Sequence, residues 1–320
     1  MVQKSAVTKQ QDTSQPRADL TAVVEAFHAA VAQSVQDADA EAVHRLRTGS
    51  RRLQAMVGAV LREHPGPALQ HPAKAWLRLL KQVRRAAGAV RDLDVHRKLL
   101  EHWVGKDSPT AEVGDGSSPL SKQAEQLDTW LKGERKQRAQ GMQRLIRKRQ
   151  QALVERQAAF AAARSSAQLA SARMGSVRTP RSADIVALED FVRAADAMPT
   201  LDEENLHDFR KATKKARYVA ESGVMGENYS SVAKAMKRIQ DAIGDWHDWL
   251  CLQEEAKAVL GEDAPELSAF LEHEVERHFA TAMKTTQTMR GRLLGEWMAS
   301  QGKRPVAAAA ITGRRLASSL

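Results

Sequence analysis

Two stretches of this 320-residue chain repeat one another, and the repeat limits what the chain can fold into. Residues 41–57 read EAVHRLRTGSRRLQAMV, and residues 204–220 read ENLHDFRKATKKARYVA. In each, a histidine is followed by a basic residue at +3 and a basic pair at +7 and +8: His44, Arg47, Arg51, Arg52, then His207, Arg210, Lys214, Lys215. A second block recurs downstream, VRRAAGAVRDLDV (83–95) against IQDAIGDWHDWLC (239–251). It aligns Gly88 with Gly244, Asp92 with Asp248 and, just upstream, Lys81 with Lys237. The copies lie 163 residues apart in the first block and 156 in the second. Near-constant spacing of two ordered blocks predicts two related units, residues 19–172 and 186–300, joined by 173–185.

Each unit reads as helical. Strand-like alternation is absent from Asp19 onward, and Ala, Gln, Glu, Arg and Leu, all good helix formers, dominate. Gly, Pro, Asp and Ser gather at HPGPALQHPAK (64–74), GKDSPTAEVGDGSSPLSK (105–122), RMGSVRTPRSADI (173–185), MPTLDEENL (198–206) and GEDAPEL (261–267), which predicts helix breaks there. Ser121 to about Ser171 reads as one or two long helices, with a basic cluster RLIRKRQ at 144–150. Residues 1–18, rich in Gln, Ser and Thr, are expected to be disordered, and 301–320 to form a flexible tail. The fold class is all-α.

Charge narrows the partner. With 49 Lys+Arg against 39 Asp+Glu the net charge is +10, which favours a polyanion: nucleic acid, an acidic membrane surface or inorganic polyphosphate. Aromatic residues are only 4%, a poor supply of platforms for stacking single-stranded bases. Cys251 is the only cysteine, so no internal disulfide, zinc cluster or redox pair can form. The N-terminus lacks the apolar stretch of a secretory signal, and no run of about 18 apolar residues occurs. A cytoplasmic protein without membrane attachment is expected.

Stepping residues at about 100° separates two faces on each motif helix. Leu46, Leu53, Val57 and Val60 share one side of the first, with His44, Arg47, Thr48 and Arg51 opposite. Phe209, Ala216 and Ala220 share one side of the second, with His207, Arg210, Lys211, Lys214 and Tyr218 opposite. After Pro72, Lys74, Arg78, Lys81, Arg85 and Gly88 form a stripe, and Trp76, Leu80, Val83, Ala87 and Val90 face away. Its counterpart carries Lys234, Lys237 and Arg238. A solvated helix face ordinarily mixes signs, because like charges at i,i+4 repel by a few tenths of a kcal/mol. Neither His44–Arg47–Arg51 nor Lys74–Arg78–Lys81–Arg85 contains an acid. An acid-free stripe occurring in both halves points to a bound polyanion.

These residues resemble the CHAD (conserved histidine α-helical) domain family. Its two hallmarks, H-x-x-R-x-x-x-[RK]-[RK] and a helix ending like G-x-x-[RH]-D, stand here as HRLRTGSRR with GAVRDLD and as HDFRKATKK with GDWHDWL. HDFRKATKKARYVAE (207–221) is the most specific match, and the resemblance extends over about residues 19–300. It implies two pseudo-symmetric four-helix halves forming one domain around a central basic groove or pore that holds inorganic polyphosphate. No cofactor is implied. Association with polyphosphate granules in a bacterial cytoplasm, and with granule proteins, would follow.

The resemblance implies phosphate contacts from Arg47, Arg51, Arg52, Lys74, Arg78, Lys81, Arg84, Arg85 and Arg91 in the first half. The second half would supply Arg210, Lys211, Lys214, Lys215, Arg217, Tyr218, Lys234, Lys237 and Arg238. His44 and His207 would donate hydrogen bonds, and binding is expected to strengthen as pH falls through about 6.5. Such a polymer offers neither base nor sugar, so recognition must come from many charge-assisted contacts, bidentate from Arg and pointwise from Lys. The second half is less basic in two places, where Asp241 matches Arg85 and Asp208 matches Arg45. Asp92 and Asp248 read as partners that orient an arginine or cap a helix.

Other classes find less support. Many relatives carry a CYTH triphosphatase domain, which needs strands and an E-x-E-x-K motif. EHEVER (272–277) has the wrong last residue in a helical context, and only about 18 residues precede the first repeat helix. No GxxxxGK[ST], HExxH or GxSxG motif occurs, so a non-catalytic protein is expected. Metal binding is an alternative if His44 and His207 approach across the halves, although flanking arginines repel a cation. Nucleic-acid binding is the other alternative, with no helix-turn-helix, finger or RNP motif in its favour.

Overall fold

A computed structural model describes residues 20–106, 118–173, 182–221 and 230–302. The segment expected to be disordered, 1–18, lies outside the described residues, as do 303–320 of the tail expected over 301–320, whose first two residues end a helix instead, and most of the joint at 173–185. Among the described residues the chain is all-α, in the order α1 Leu20–Gln36, α2 Ala40–Glu63, α3 Pro67–Lys106, α4 Pro119–Arg173, α5 Ala183–Ala197, α6 Glu203–Glu221, α7 Ser231–Leu260 and α8 Pro265–Gly302. A single 3-10 turn, Gly261–Asp263, precedes α8.

Local chemistry sets the helix ends. Pro67, Pro119 and Pro265 each open a helix, where a missing N–H costs nothing because that donor has no partner within the helix. Asp39 caps α2 by accepting from Ala42 N–H at 2.7 Å, and Ser230 caps α7 by accepting from Ala233 N–H at 3.1 Å. Asp202 and Asn205 exchange bonds at the start of α6: Asn205 N–H donates to Asp202 Oδ1 at 2.9 Å, and Asp202 N–H to Asn205 Oδ1 at 3.1 Å. Gly261, at φ 58°, turns the chain out of α7.

Three boundaries differ from the sequence reading, the first being a break at residues 37–39, between α1 and α2, that it did not contain. The break expected over 64–74 is shorter, since α3 begins at Pro67 and contains Pro72. Pro72 forfeits only the bond to the Ala68 carbonyl, in a first stretch of helix that the following residues hold in place. In addition, α5 starts at Ala183, inside the stretch read as a joint.

Each set of four helices closes on itself, consecutive helices packing together with α1 also against α4 and α5 also against α8. Between the sets, like meets like: α2 packs on α6, α3 on α7 and α4 on α8. The apolar faces are those the periodicity specifies. Leu46, Leu53, Val57, Trp76, Leu80, Val83, Ala87, Val90, Phe209, Ala216 and Ala220 are all buried.

The apolar clusters nevertheless do not divide where the repeat does. One cluster joins α1, α2, α3 up to Val90, and α4 from Ala139 to Phe160. The other takes α5 to α8 together with Leu93 and Leu100 of α3 and Ala124, Leu127 and Leu131 of α4. Length explains this. At 1.5 Å per residue α3 is about 60 Å long and α2 about 36 Å, so α3 outruns α2, and its overhang, like the part of α4 beside it, needs cover from the second set.

The fourth helix of each set serves the first in the same way. From α4, Gln143 Nε2 donates to the Ser34 and Val35 carbonyls (3.2 and 3.3 Å), and Arg147 Nη2 to the Val35 carbonyl (3.1 Å). From α8, Arg290 donates to the carbonyls of Ala195, Met198 and Pro199 at 2.8, 3.0 and 3.1 Å. These side chains satisfy carbonyls left open where α1 and α5 end. Arg147 of the 144–150 cluster thus has a structural role.

Candidate functional site

The α2–α6 contact turns the basic faces of the two motif helices toward each other. Lys214 of α6 is half-buried, and burial together with the charges of Arg51, Arg210, Arg47 and Arg217 pushes its ammonium down to about 7. Across from it on α2, burial and the charges of Arg47, Arg84 and Arg210 lower Arg51 to about 10, with Tyr218 acting the other way. Among the described residues neither Lys214 nor Arg51 has a carboxylate partner. Arg84 joins them from α3: its Nη1 donates to Gln54 Oε1, and burial outweighs the favourable influence of Tyr218 in lowering its pKa. Residues 163 positions apart in sequence therefore share one cationic cluster where α2 meets α6.

The two equivalent arginines are held differently. Arg47 Nη1 donates to Asp92 Oδ1 of α3 at 2.8 Å. Arg210 Nε donates to the Gln240 carbonyl of α7 at 3.2 Å, and its guanidinium lies over Gly244. A Cβ added at Gly244 would come within 2.7 Å of Arg210 Nη2, whereas one added at Gly88 would meet nothing within 4 Å. Asp92 orients an arginine, as its position suggested. Asp248 makes no such bond, and burial raises its pKa despite the nearby Arg210 charge.

Arg217 pairs with Glu221 at 3.2 Å, and its guanidinium carbon lies 5.3 Å from the centre of the Tyr218 ring. Burial raises the Glu221 carboxyl although Arg217, Arg52 and Lys237 oppose it. Desolvation, then Arg91, Arg47 and Arg51, hold His44 below 6.5. Desolvation, then His247, Lys211 and Arg210, do the same for His207.

The histidines bear on the metal alternative. His207 lies against His247 of its own half, ring centres 4.5 Å apart and planes inclined at 48°. His247 Nε2 lies 3.7 Å from Cys251 Sγ, and burial keeps that thiol protonated by raising it to about 12. Among the described residues no group of three or more His, Cys, Asp or Glu side chains is placed to hold a metal ion. The lowered histidines also move their titration below the pH of 6.5 expected from sequence.

The remaining candidates lie outside the cleft's half-buried centre. Lys74, Arg78, Lys81 and Arg85 are exposed along α3, with Arg85 adding its charge to Arg84. Arg52, Lys215, Lys234 and Arg238 are exposed too. Lys211 and Lys237 are exposed and neutralised on their own helices by Asp208 at 2.8 Å and Asp241 at 2.5 Å. Arg91 is half-buried beside His44. Three contributors went unread in the sequence: Gln54, Glu221 and the His96–Glu255 pair, which joins α3 to α7 at 2.8 Å with His96 only 3% exposed. A glutamine on a polar face and an acid 159 residues from its histidine leave no local pattern to find.

A crystal structure of the CHAD domain from the plant Ricinus communis is similar to this fold over 89% of each chain, at 19% identity and a TM-score of 0.48. PptA from Streptomyces chartreusis is similar over 84% of this chain and 96% of its own, at 14% identity and a TM-score of 0.50. No curated protein matches. The CHAD domain profile matches residues 18–257, which include both histidine helices and both glycine blocks. The chain belongs to the CHAD domain family.

Proposed function

We propose that this protein binds inorganic polyphosphate, without catalysing its turnover, in the cationic cleft between α2 and α6. The observation that carries the reading is the pairing of Arg51 and Lys214, from opposite halves, half-buried and without a carboxylate between them. Like charges taken partly out of water repel strongly, and a protein keeps them together at a cost that a bound anion removes. Arg47, Arg51, Arg84 and Arg210 supply forked donors, and Lys214 a point charge, to successive phosphate groups.

A nucleic-acid duplex presents its phosphates on a convex surface and would reach only the rim. The exposed cations Lys74, Arg78, Lys81 and Arg85 extend the positive surface along α3 and would carry the polymer beyond the cleft or meet a granule surface.

The test is a mobility shift with long-chain polyphosphate, run on the wild type and on Arg51→Glu/Lys214→Glu. At about 1.5–3 kcal/mol per charge-assisted contact, two reversals should weaken binding by a hundredfold or more. The wild-type complex should also survive an excess of duplex DNA. An unchanged shift in a double variant that melts normally, or displacement by DNA at equal phosphate concentration, overturns the reading.

A further inference from the structure

The basic stripe of α6 ends on an acid. Arg210, Lys214, Arg217 and Glu221 follow one another at intervals of four, three and four residues, so they share one side of the helix. Glu221 is the last residue of α6, and its Oε1 lies 3.2 Å from Arg217 Nη1. Neither side chain is free in water: Arg217 is 18% exposed and Glu221 19%. Arg52 of α2 and Lys237 of α7 also bear on the carboxylate. The first half has no counterpart. The 163-residue offset matches Arg217 with Gln54, which accepts a bond from Arg84, and Glu221 with Gly58, where an added Cβ would meet only Arg62 Nη1 at 3.7 Å. We propose that Arg217, beside Arg52, is a further phosphate subsite, which the Glu221 carboxylate occupies in the free protein and yields to the polymer.

The inference rests on the polyphosphate reading above and says where the bound chain goes beyond Arg51 and Lys214. Carboxylates and phosphates present paired oxygens of like charge to a guanidinium, so a place that holds one suits the other. The ion pair as it stands is incomplete. It is a single contact through Nη1 and not the two parallel bonds of a fork, and Arg217 Nε is buried without a hydrogen-bond partner. Tyr218 supports the guanidinium independently of the acid, with 5.3 Å between the ring centre and the guanidinium carbon. Arg217 therefore keeps its place when the carboxylate moves off. While Glu221 stays, its charge repels a phosphate bound next to Lys214, one turn back along the same stripe. Glu221 thus limits affinity and sets how far along α6 the chain is held.

The experiment measures binding of end-labelled long-chain polyphosphate by anisotropy at several salt concentrations. The proteins are the full chain and its Glu221→Gln, Arg217→Gln and Arg217→Gln/Glu221→Gln variants. Glu221→Gln should bind about threefold to tenfold more tightly. Its affinity should also fall more steeply with salt, by about one further ion, because a charge that Glu221 offset now counts in full. In the Arg217→Gln background the same substitution should gain about twofold or less, which the mere loss of one negative charge would not explain. Unchanged or weaker binding by a Glu221→Gln protein that melts normally, or an equal gain with and without Arg217, overturns the inference. Should Glu221→Gln fail to fold, Glu221→Asp, which draws the carboxylate back by one methylene, decides the matter: a smaller gain supports the subsite and a loss overturns it. Wild-type binding without these gains defeats this inference alone, whereas no binding by any of the proteins defeats the polyphosphate reading and this one with it.

Discussion

The two histidine helices carry the same motif and restrain its central arginine by different means. Arg47 is held by a carboxylate, Asp92, which offsets part of its charge. Arg210 is held by a backbone carbonyl and by the absence of a side chain at Gly244, which leave its charge uncancelled. Counted by residues, the second half looks less basic, with Asp208 and Asp241 where the first has Arg45 and Arg85. Both acids, however, are spent on exposed lysines of their own helices, Lys211 and Lys237. At the cleft itself the second half supplies Arg210 as a positioned, uncompensated donor and Lys214 as the most strongly perturbed amine. Net charge of a segment is therefore a poor guide to the field at a site; which charges have partners decides it.

The two halves differ most testably at the two glycines. Gly244→Ala should force the Arg210 guanidinium aside and lower polyphosphate affinity about tenfold, the loss of one charge-assisted contact. Gly88→Ala, which meets nothing, should leave affinity unchanged and raise stability by up to about 1 kcal/mol through helix propensity. Titration by fluorescence anisotropy with paired thermal melts would show it. Equal effects at the two positions would mean that the two halves hold their arginines alike.

Lys214 gives the next effect. Its folded pKa lies below its unfolded value, so the penalty for burying the ammonium develops as pH falls from about 10.5 toward 7 and is complete below 7. Lys214→Met should then stabilise the ligand-free protein by about 1 kcal/mol at pH 7, solvent screening having reduced the repulsion, with less gain at pH 9.5. A melting temperature that does not rise at pH 7 would argue against a strained cluster. Anion binding restores the charged amine, so wild-type affinity should fall as pH rises above 7. Lys214→Arg, charged throughout, should flatten that limb.

A smaller gain tests the first half. Asp92→Asn frees Arg47 for phosphate and should raise affinity about threefold, read in the same titration; a loss would mean that Asp92 matters more by aiming Arg47 than by neutralising it. The smallest effect concerns the histidines. Since the surroundings of His44 and His207 lower both, any strengthening due to their protonation should occur below pH 6.5 and vanish in the His44→Gln/His207→Gln variant.

Much of this was legible beforehand because it is local. Periods of three and four residues place Leu46, Leu53 and Val57 on one side of α2 and Arg47 and Arg51 on the other, whatever α2 packs against. The break read at 198–206 is local in the same way, Asp202 acting on an N–H three residues on; Asp39 and Ser230 cap their helices just as locally, at starts the sequence reading did not single out. The stripe Lys74–Arg85 was read correctly as one face, yet only Arg84, next to that stripe, is half-buried in the cleft; periodicity gives a direction around a helix and not what stands opposite.

The helices, their apolar faces and the duplication of the cationic motif are all set by neighbours within a turn or two along the chain. That α2 and α6 meet basic face to basic face, that His207 turns to His247 and that α3 and α4 run into the second core are facts of packing. Those outcomes depend on helix lengths and on contacts between residues more than a hundred positions apart. Packing, which no short-range periodicity encodes, turns two ordinary amphipathic helices into one strained cationic cleft.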